Sequence, residues 1–237
     1  MTALDNPLRS NTKAVVFDVG GVLIDLQAEG ARRELIEKYG FVSQSFARLT
    51  RSSFESHPRS ITELAMIGCV GTSEYLDAFL HECGVKDLEA LRLNRLSVVG
   101  QERANVFAIV EELKRAGLIC CVLSNTIPLH WDKLKSITEY PSFALFEHLF
   151  ASHLIKCAKP EKASFLFVAR ALNVQMSECL LVDDTPLNVD RAKAAGWQAL
   201  LFRGAAQLKR ALNDLLCYRK HLTMRSSEPP TGEKLST

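Results

Sequence analysis

The sequence lacks the features that mark membrane-spanning, secreted and nucleic-acid-binding proteins. No apolar run in its 237 residues approaches the roughly 20 residues that a membrane span needs. The first 13 residues are polar and contain no apolar signal-peptide core. The formal net charge is only +2, so no charge excess favours nucleic acid or an acidic membrane as a partner. These absences predict a soluble, cytoplasmic protein that binds neither.

Cysteine and histidine pairs at metal-binding or redox spacing are also missing. The seven cysteines are odd in number and scattered, with no CxxC pair. Cys120 and Cys121 are neighbours inside an apolar run that is typical of a buried strand. His148 and His153 lie five residues apart, which does not place them on one helical face. We therefore expect reduced, mostly buried thiols and no zinc site.

The amino-terminal part of the chain changes its apolar pattern near residue 27. A β-branched and aromatic run over 13–17 predicts a buried strand, and a second short apolar run follows at 22–24. From 27 to 100, apolar residues recur at helical intervals with no strand of comparable quality. The predicted helices cover 29–39, 61–67, 73–83 and 88–98. This region is predicted to be an all-helical insert.

Strands and helices alternate after residue 100. Strands are predicted at 118–123, 149–151, 179–182 and 199–202, and helices at 102–116, 161–172 and 188–195. Such alternation is typical of a parallel sheet with helices on both faces. The predicted fold is therefore α/β, a doubly wound, Rossmann-like parallel sheet whose core comprises residues 11–26 and 101–216, with the all-helical insert at 27–100.

Two further expectations follow from composition. The first strand should be interior to the sheet, because residues 14–17 are apolar without polar alternation. Residues 218–237 are rich in Ser, Glu, Pro, Gly and Lys, and we expect them to form a disordered tail.

Polar side chains follow three of the predicted strands at their carboxyl ends. Asp18 follows the first strand, Ser124 and Asn125 the second, and Asp183 and Asp184 a later one. In an open parallel sheet, ligands bind at this edge. A single aspartate there is as often a structural cap as a functional group, whereas the joint placement indicates one site with a nucleophile, polar donors and a carboxylate pair.

Four short motifs, in order, resemble those of the haloacid dehalogenase superfamily. They are FDVGGVL at 17–23, LSNT at 123–126, KP at 159–160 and VDDTPLN at 182–188. Each motif is weak alone, but the ordered set is specific. The resemblance covers residues 13–215, and the helical insert lies where this family places its cap. Within the family, the sequence is similar to bacterial α-D-glucose-1-phosphate phosphatases.

The resemblance implies a Mg²⁺-dependent phosphatase of a small phosphorylated metabolite, with sugar phosphates among the candidates. Asp18 would be the nucleophile, forming an aspartyl-phosphate, and also a metal ligand. The Gly20 carbonyl and Asp184 would be the other protein ligands, with Asp183 as a ligand or a supporting neighbour. A metal ion is required because a phosphomonoester dianion repels an anionic nucleophile.

The same resemblance assigns the groups that hold the phosphoryl oxygens. Ser124, the Asn125 backbone and Lys159 would bind these oxygens as charge shifts in the transition state, which makes Lys159 a catalytic residue as well. Most lysines are solvated surface residues. Lys159 differs because Pro160 follows it at the head of a predicted helix, in register with the other motifs.

Gly20 stands where most phosphatases of this family carry a second aspartate. That residue protonates the leaving group, a contribution of about 10²–10⁴-fold in rate. Glycine also occurs there in the glucose-1-phosphatase-like members, so it does not by itself imply a dead enzyme. Asp25 and His130 are candidate substitutes. Each also has a structural interpretation: Asp25 begins the linker to the insert, and His130 packs beneath the loop after the second strand.

The sequence leaves two alternatives open. One is a metal-independent 2-haloacid dehalogenase, which also uses an aspartate nucleophile and lacks the second aspartate. The pair Asp183 and Asp184 is hard to explain there, because that reaction needs no cation. The other is a weakly active or non-catalytic family member with a regulatory role.

Overall fold

The computed structural model describes residues 11–40, 42–55, 57–83 and 86–226. The strands are β1 (Ala14–Phe17), β2 (Ile24–Leu26), β3 (Val99–Glu102), β4 (Ile119–Ser124), β5 (His148–Ala151), β6 (Cys179–Asp183) and β7 (Gln198–Leu201). The α-helices are α1 (Ala28–Tyr39), α2 (Ser43–Thr50), α3 (Ile61–Met66), α4 (Thr72–Cys83), α5 (Leu88–Leu96), α6 (Ala104–Arg115), α7 (Pro128–Leu134), α8 (Ser152–Ile155), α9 (Lys162–Ala171), α10 (Pro186–Ala194) and α11 (Ala205–Ser226).

Five parallel strands form the central sheet in the order β5-β4-β1-β6-β7. All four residues of β1 are buried, and β1 pairs with β4 on one side and β6 on the other. The expected interior position of the first strand is therefore confirmed. An apolar strand that must be covered on both faces is stable only in the middle of such a sheet.

Alternate side chains of β1 enter two separate cores. Val15 and Phe17 pack with apolar residues of α6 and α11. Ala14 and Val16 pack on the opposite face with residues of α9 and α10. Each fully buried aliphatic or aromatic side chain contributes roughly 1.5–3 kcal/mol. Helices on both faces of a parallel sheet confirm the predicted doubly wound fold.

Helices α1–α5 form a helical cap inserted after the first strand. Their apolar faces build a third core around Leu35, Tyr75 and Phe79. Ile127 and Leu129, which follow β4, pack into this same core. The cap is thereby seated on the segment that carries the end of β4.

Some of the cap helices have recognisable capping groups at their ends. Ser60 and Glu63 form a reciprocal capping box at the start of α3. Asp87 accepts a hydrogen bond from the Ala90 N–H at 3.0 Å and caps α5. Gly40 adopts a left-handed conformation after α1, a common way to end a helix.

An antiparallel pair of strands joins the cap to the core. Ile24 of β2 lies opposite Glu102 of β3, and Leu26 lies opposite Val99. The sequence predicted only helices for this stretch and missed β3, because VGQE has no apolar alternation. Gly100 is needed there, since a Cβ would lie 2.6 Å from the Asp25 carbonyl oxygen.

Other elements also differ from the expectations. The short helices α2 and α7 were not predicted, and α11 continues to Ser226, so residues 218–226 are helical rather than disordered. That segment contains two Arg, one Lys, one Leu and one Met, residue types that favour a helix once α11 has begun. The rest of the expected tail, 227–237, lies outside the described residues. Within the described part, none of the helices is long and apolar enough to cross a membrane.

Candidate active site

Three adjacent strands bring their polar ends together at one edge of the sheet. Asp18 follows β1, Ser124 ends β4 and Asp183 ends β6. The Asp18 N–H donates to the Val182 carbonyl oxygen at 2.9 Å, which continues the ladder between β1 and β6 up to the site. The structure therefore places these side chains at the edge where ligands bind in open α/β sheets.

Lys159 reaches this edge from the loop before α9 and is almost completely buried, with 1% exposure. Its Nζ donates to Asp18 Oδ1 at 2.7 Å and to Asp183 Oδ2 at 2.6 Å. The Asn125 side chain fixes the lysine backbone: its Nδ2 donates to the Lys159 carbonyl at 2.6 Å, and its Oδ1 accepts from the Lys159 N–H at 2.9 Å. The ammonium is thus held between two carboxylates by a neighbouring loop.

Asp183 lies beneath the site, and both of its carboxylate oxygens accept hydrogen bonds. Asn188 Nδ2 donates to Oδ1 and Oδ2 at 3.0 and 3.2 Å, and the Thr185 N–H donates to Oδ1 at 2.9 Å. Together with the bond from Lys159, these contacts surround a carboxylate that is fully buried. A buried carboxylate needs such donors to remain charged.

Asp184, the next residue along the chain, is exposed. Gly21 permits its position, because at φ 79° a Cβ on Gly21 would lie 2.0 Å from Asp184 Oδ2. One carboxylate oxygen from each of Asp18, Asp183 and Asp184 lies within 4.8 Å of the other two. Three acids therefore crowd around a single ammonium group.

The electrostatics of this cluster favour an added cation. Burial raises the pKa of Asp18 to about 7; Lys159 opposes this shift and Asp183 adds to it. Partial burial and Asp183 also raise the pKa of Asp184. The pKa of Lys159 is raised because the charges of Asp18 and Asp183 outweigh the effect of burial. Oxygen-only donors with excess negative charge fit the preferences of Mg²⁺.

A cavity of about 810 Å³ opens above these groups, between the cap and the sheet edge. The candidate residues that line it are Asp18, Gly20, Ser124, Asn125, Lys159 and Asp184. The cap contributes side chains from α2, α3, α4 and α5, among them Phe46, Met66, Tyr75 and Arg95. The candidate set thus lies on the floor of one cavity, with Asp183 just beneath it.

The family of the chain follows from comparison with known proteins. Residues 12–196 match the haloacid dehalogenase-like hydrolases. The chain belongs to this family. It is a hydrolase, and the resemblance seen in its four motifs is confirmed.

Relatives and solved structures of the family resemble the chain over most of its length. A phosphatase of Mycobacterium tuberculosis is 27% identical, covering 83% of this chain and 89% of the relative. A sesquiterpene phosphatase of Aspergillus oryzae is 25% identical, covering 79% and 88%. A family enzyme of Bacteroides thetaiotaomicron, crystallised with magnesium and inorganic phosphate, has the same fold, with a TM-score of 0.69 and 21% identity over 81% of this chain and 94% of that one.

The two candidate proton donors do not enter this hydrolase's cavity as acids. Asp25 pairs with Arg103 at 2.6 Å and is not among the cavity-lining residues. His130 lines the cavity, but its Nε2 donates a hydrogen bond to the Arg95 carbonyl oxygen at 2.9 Å, since that oxygen can only accept. Burial, helped by the charge of Arg95, lowers the pKa of His130 to about 4. The neutral ring therefore packs against α5, in agreement with its structural interpretation.

Sequence reasoning missed two residues of the site. Asn188 was noted only as part of a motif, yet its amide holds Asp183. Arg95 was not considered, although it lines the cavity from α5. Its spacing of four residues from Leu91, which is also buried, places both on the inner face of the helix and was the available signal.

Proposed function

We propose that this hydrolase is a Mg²⁺-dependent phosphatase that acts on a small phosphorylated metabolite through an aspartyl-phosphate intermediate. The observation that carries the proposal is the contact of Lys159 with both Asp18 and Asp183 at the floor of the cavity, beside the exposed carboxylate of Asp184. The phosphatase relatives and the magnesium and phosphate complex of the Bacteroides enzyme support it.

Asp18, Asp184 and the Gly20 carbonyl would hold the metal ion. Asp18 and Asp184 line the cavity, whereas both oxygens of Asp183 already accept hydrogen bonds from protein groups. We therefore assign Asp183 to the support of Lys159 rather than to direct coordination. Bound Mg²⁺ would supply the positive charge that offsets the repulsion between the phosphoryl group and the nucleophile.

The protein groups then have separate roles in the reaction. A carboxylate oxygen of Asp18 attacks phosphorus, the new O–P bond forms, and the bond to the leaving oxygen breaks. Lys159, Ser124 and the Asn125 backbone hold the non-bridging oxygens as their charge changes. Water then hydrolyses the aspartyl-phosphate, which releases inorganic phosphate and restores the Asp18 carboxylate.

Neither Asp25 nor His130 replaces the missing acid at Gly20, since Asp25 is paired and His130 is neutral. Leaving groups of low pKa need little protonation, so the best substrates should be aryl phosphates, acyl phosphates or sugar phosphates esterified at the anomeric oxygen.

Release of phosphate from p-nitrophenyl phosphate, with and without Mg²⁺, tests the proposed function. We expect turnover only with the metal. Halide release from 2-chloropropionate without metal would instead support the dehalogenase alternative. If the folded protein catalyses neither reaction, the proposal is wrong and the non-catalytic alternative stands.

Gly20→Asp should restore a general acid. Gly20 does not have positive φ, and the atom nearest to a Cβ there would be the end of the exposed, flexible Leu26 side chain, at 3.0 Å. We expect kcat on alkyl phosphates to rise by about tenfold or more, with little change on p-nitrophenyl phosphate, whose leaving group needs no acid. The ratio of the two rates is the measurement. An unchanged ratio in a folded variant would mean that proton donation was not the deficit.

Asp184→Asn should weaken Mg²⁺ binding, because it removes one ligand charge. We expect the Mg²⁺ concentration for half-maximal activity to rise by about 10–100-fold, as is common when a metal site is impaired. The matched control is Asp190→Asn, which alters an exposed aspartate on α10. Equal metal requirements in the two variants would remove Asp184 from the metal site.

A further inference from the structure

Arg95 is a buried cation for which the described residues supply no counter-ion. Its exposure is 5%, and no carboxylate of the described residues forms an ion pair with it. Its Nη1 is enclosed and has no hydrogen-bond partner in the part of the chain that the structure describes. Arg51, another arginine of the cap, does have a counter-ion, because it pairs with buried Glu63 at 3.6 Å. Charged side chains are seldom buried in this way unless something balances them.

Aromatic groups hold the guanidinium of Arg95 in place. Nε donates to the Tyr75 hydroxyl at 3.2 Å. The guanidinium carbon lies 5.6 Å from the ring centre of Phe46 and 5.1 Å from that of Phe79. These cation–π contacts stabilise the positive charge only in part, and they leave donor groups for another ligand.

The backbone around Arg95 is tied to the core. The Arg95 carbonyl accepts from His130 Nε2 at 2.9 Å, and the Leu96 carbonyl accepts from Lys133 Nζ at 3.1 Å. Both donors lie on α7, just after the segment that carries Ser124 and Asn125. The guanidinium therefore has a fixed position relative to the phosphate-binding end of the cavity.

The geometry points to Arg95 as the binding residue for a second anionic group of the substrate, a carboxylate or a second phosphoryl group. The inference rests on the proposed function, since it concerns the substrate of the same site. A guanidinium favours such oxyanions because its N–H groups donate strong, charge-assisted hydrogen bonds. Much of the remaining wall is apolar, including Leu26, Phe46, Met66, Val98, Ile127 and Leu134. The substrate class is thus a phosphate ester with a carbon-rich body and a second oxyanion.

Binding of non-hydrolysable ligands in Mg²⁺ buffer, measured by calorimetry, tests this assignment. The probes are ω-carboxyalkylphosphonates and α,ω-alkylbisphosphonates of increasing length, each compared with the plain alkylphosphonate. At one length, we expect the second oxyanion to tighten binding about 10–100-fold, the usual range for a charged hydrogen bond. The group that gives the larger gain, carboxylate or phosphonate, identifies the anion.

Arg95→Met should remove this gain and leave the affinity for alkylphosphonates within about threefold. Arg92→Met, on the exposed face of the same helix, should keep the gain. A wild type with no preference at any length, or with no phosphonate binding, overturns the assignment. If Arg95→Met lowers the affinity for both ligand types equally, the assignment is also overturned, because that result indicates a structural role.

Comparison of these binding data with the hydrolysis assay separates this inference from the proposed function. A protein that hydrolyses no phosphate ester but shows the Arg95-dependent preference would refute the phosphatase proposal and support the assignment of Arg95. A protein that hydrolyses phosphate esters without that preference would do the reverse.

Discussion

Replacing Asp18 with Asn should reduce turnover of every phosphate ester by about 10⁴-fold or more, the scale seen when a covalent nucleophile is removed. An amide oxygen is a poor nucleophile and a weaker metal ligand than a carboxylate. The variant should fold, because Lys159 Nζ, 2.7 Å from Asp18 Oδ1, can still donate to an amide oxygen there and keeps its bond to Asp183. The measurement is phosphate release under saturating Mg²⁺.

The stability of the same variant provides a second, independent result. Burial and Asp183 both disfavour the charged form of Asp18, and a neutral amide relieves this cost. Without Mg²⁺, Asp18→Asn should therefore melt at a higher temperature than the wild type, since active sites are commonly built at the expense of stability.

Asp132→Asn serves as the control, because this aspartate is exposed on α7 and pairs with Lys135 one turn later. It should change neither activity nor melting temperature. Wild-type turnover by Asp18→Asn would overturn the covalent mechanism.

The sheet and its polar edge were predictable because both depend on local sequence. A run such as Ala14–Phe17 with no polar alternation can only be an interior strand, and Asp18 then falls at its carboxyl end. In the same way, Ser124 lies at the carboxyl end of the apolar strand β4, and Asp183 lies at that of β6. Once the strands are parallel, the geometry of the sheet brings their ends together, and the order of the motifs indicates the family.

The interior of the cavity was not predictable in the same way. Which face of each cap helix turns towards the core depends on packing between segments that are distant in the chain. Arg92 and Arg95 look alike in the sequence, but one is exposed and the other nearly buried. The two hydrogen bonds from the Asn125 side chain to the Lys159 backbone are of the same long-range kind, so the sequence suggested only a backbone role for Asn125.

Long-range contacts also change what a substitution at Lys159 should do. The motif alone predicts that Lys159→Met loses turnover but keeps an intact fold. In the structure its ammonium is the shared partner of Asp18 and Asp183, and the Asp183 carboxylate is fully buried. Removing one member of a buried ionic group typically costs about 3–5 kcal/mol, because the remaining charges lose their compensation.

Lys159→Met should therefore lower both turnover and stability. We expect kcat to fall by about 10²–10³-fold, the usual cost of losing a donor to the transition-state oxygens, and the metal-free protein to lose about 3–5 kcal/mol. Mg²⁺ should restore part of the lost stability, because a bound cation again balances the carboxylates and ligand binding stabilises the folded state. Thermal unfolding with and without Mg²⁺, together with phosphate release, measures both effects.

Lys162→Met, which alters an exposed lysine at the start of α9, is the control and should match the wild type in both assays. If Lys159→Met loses activity but keeps full stability without metal, the lysine does not compensate the two aspartates. If it keeps full activity, the lysine does not contact the phosphoryl group.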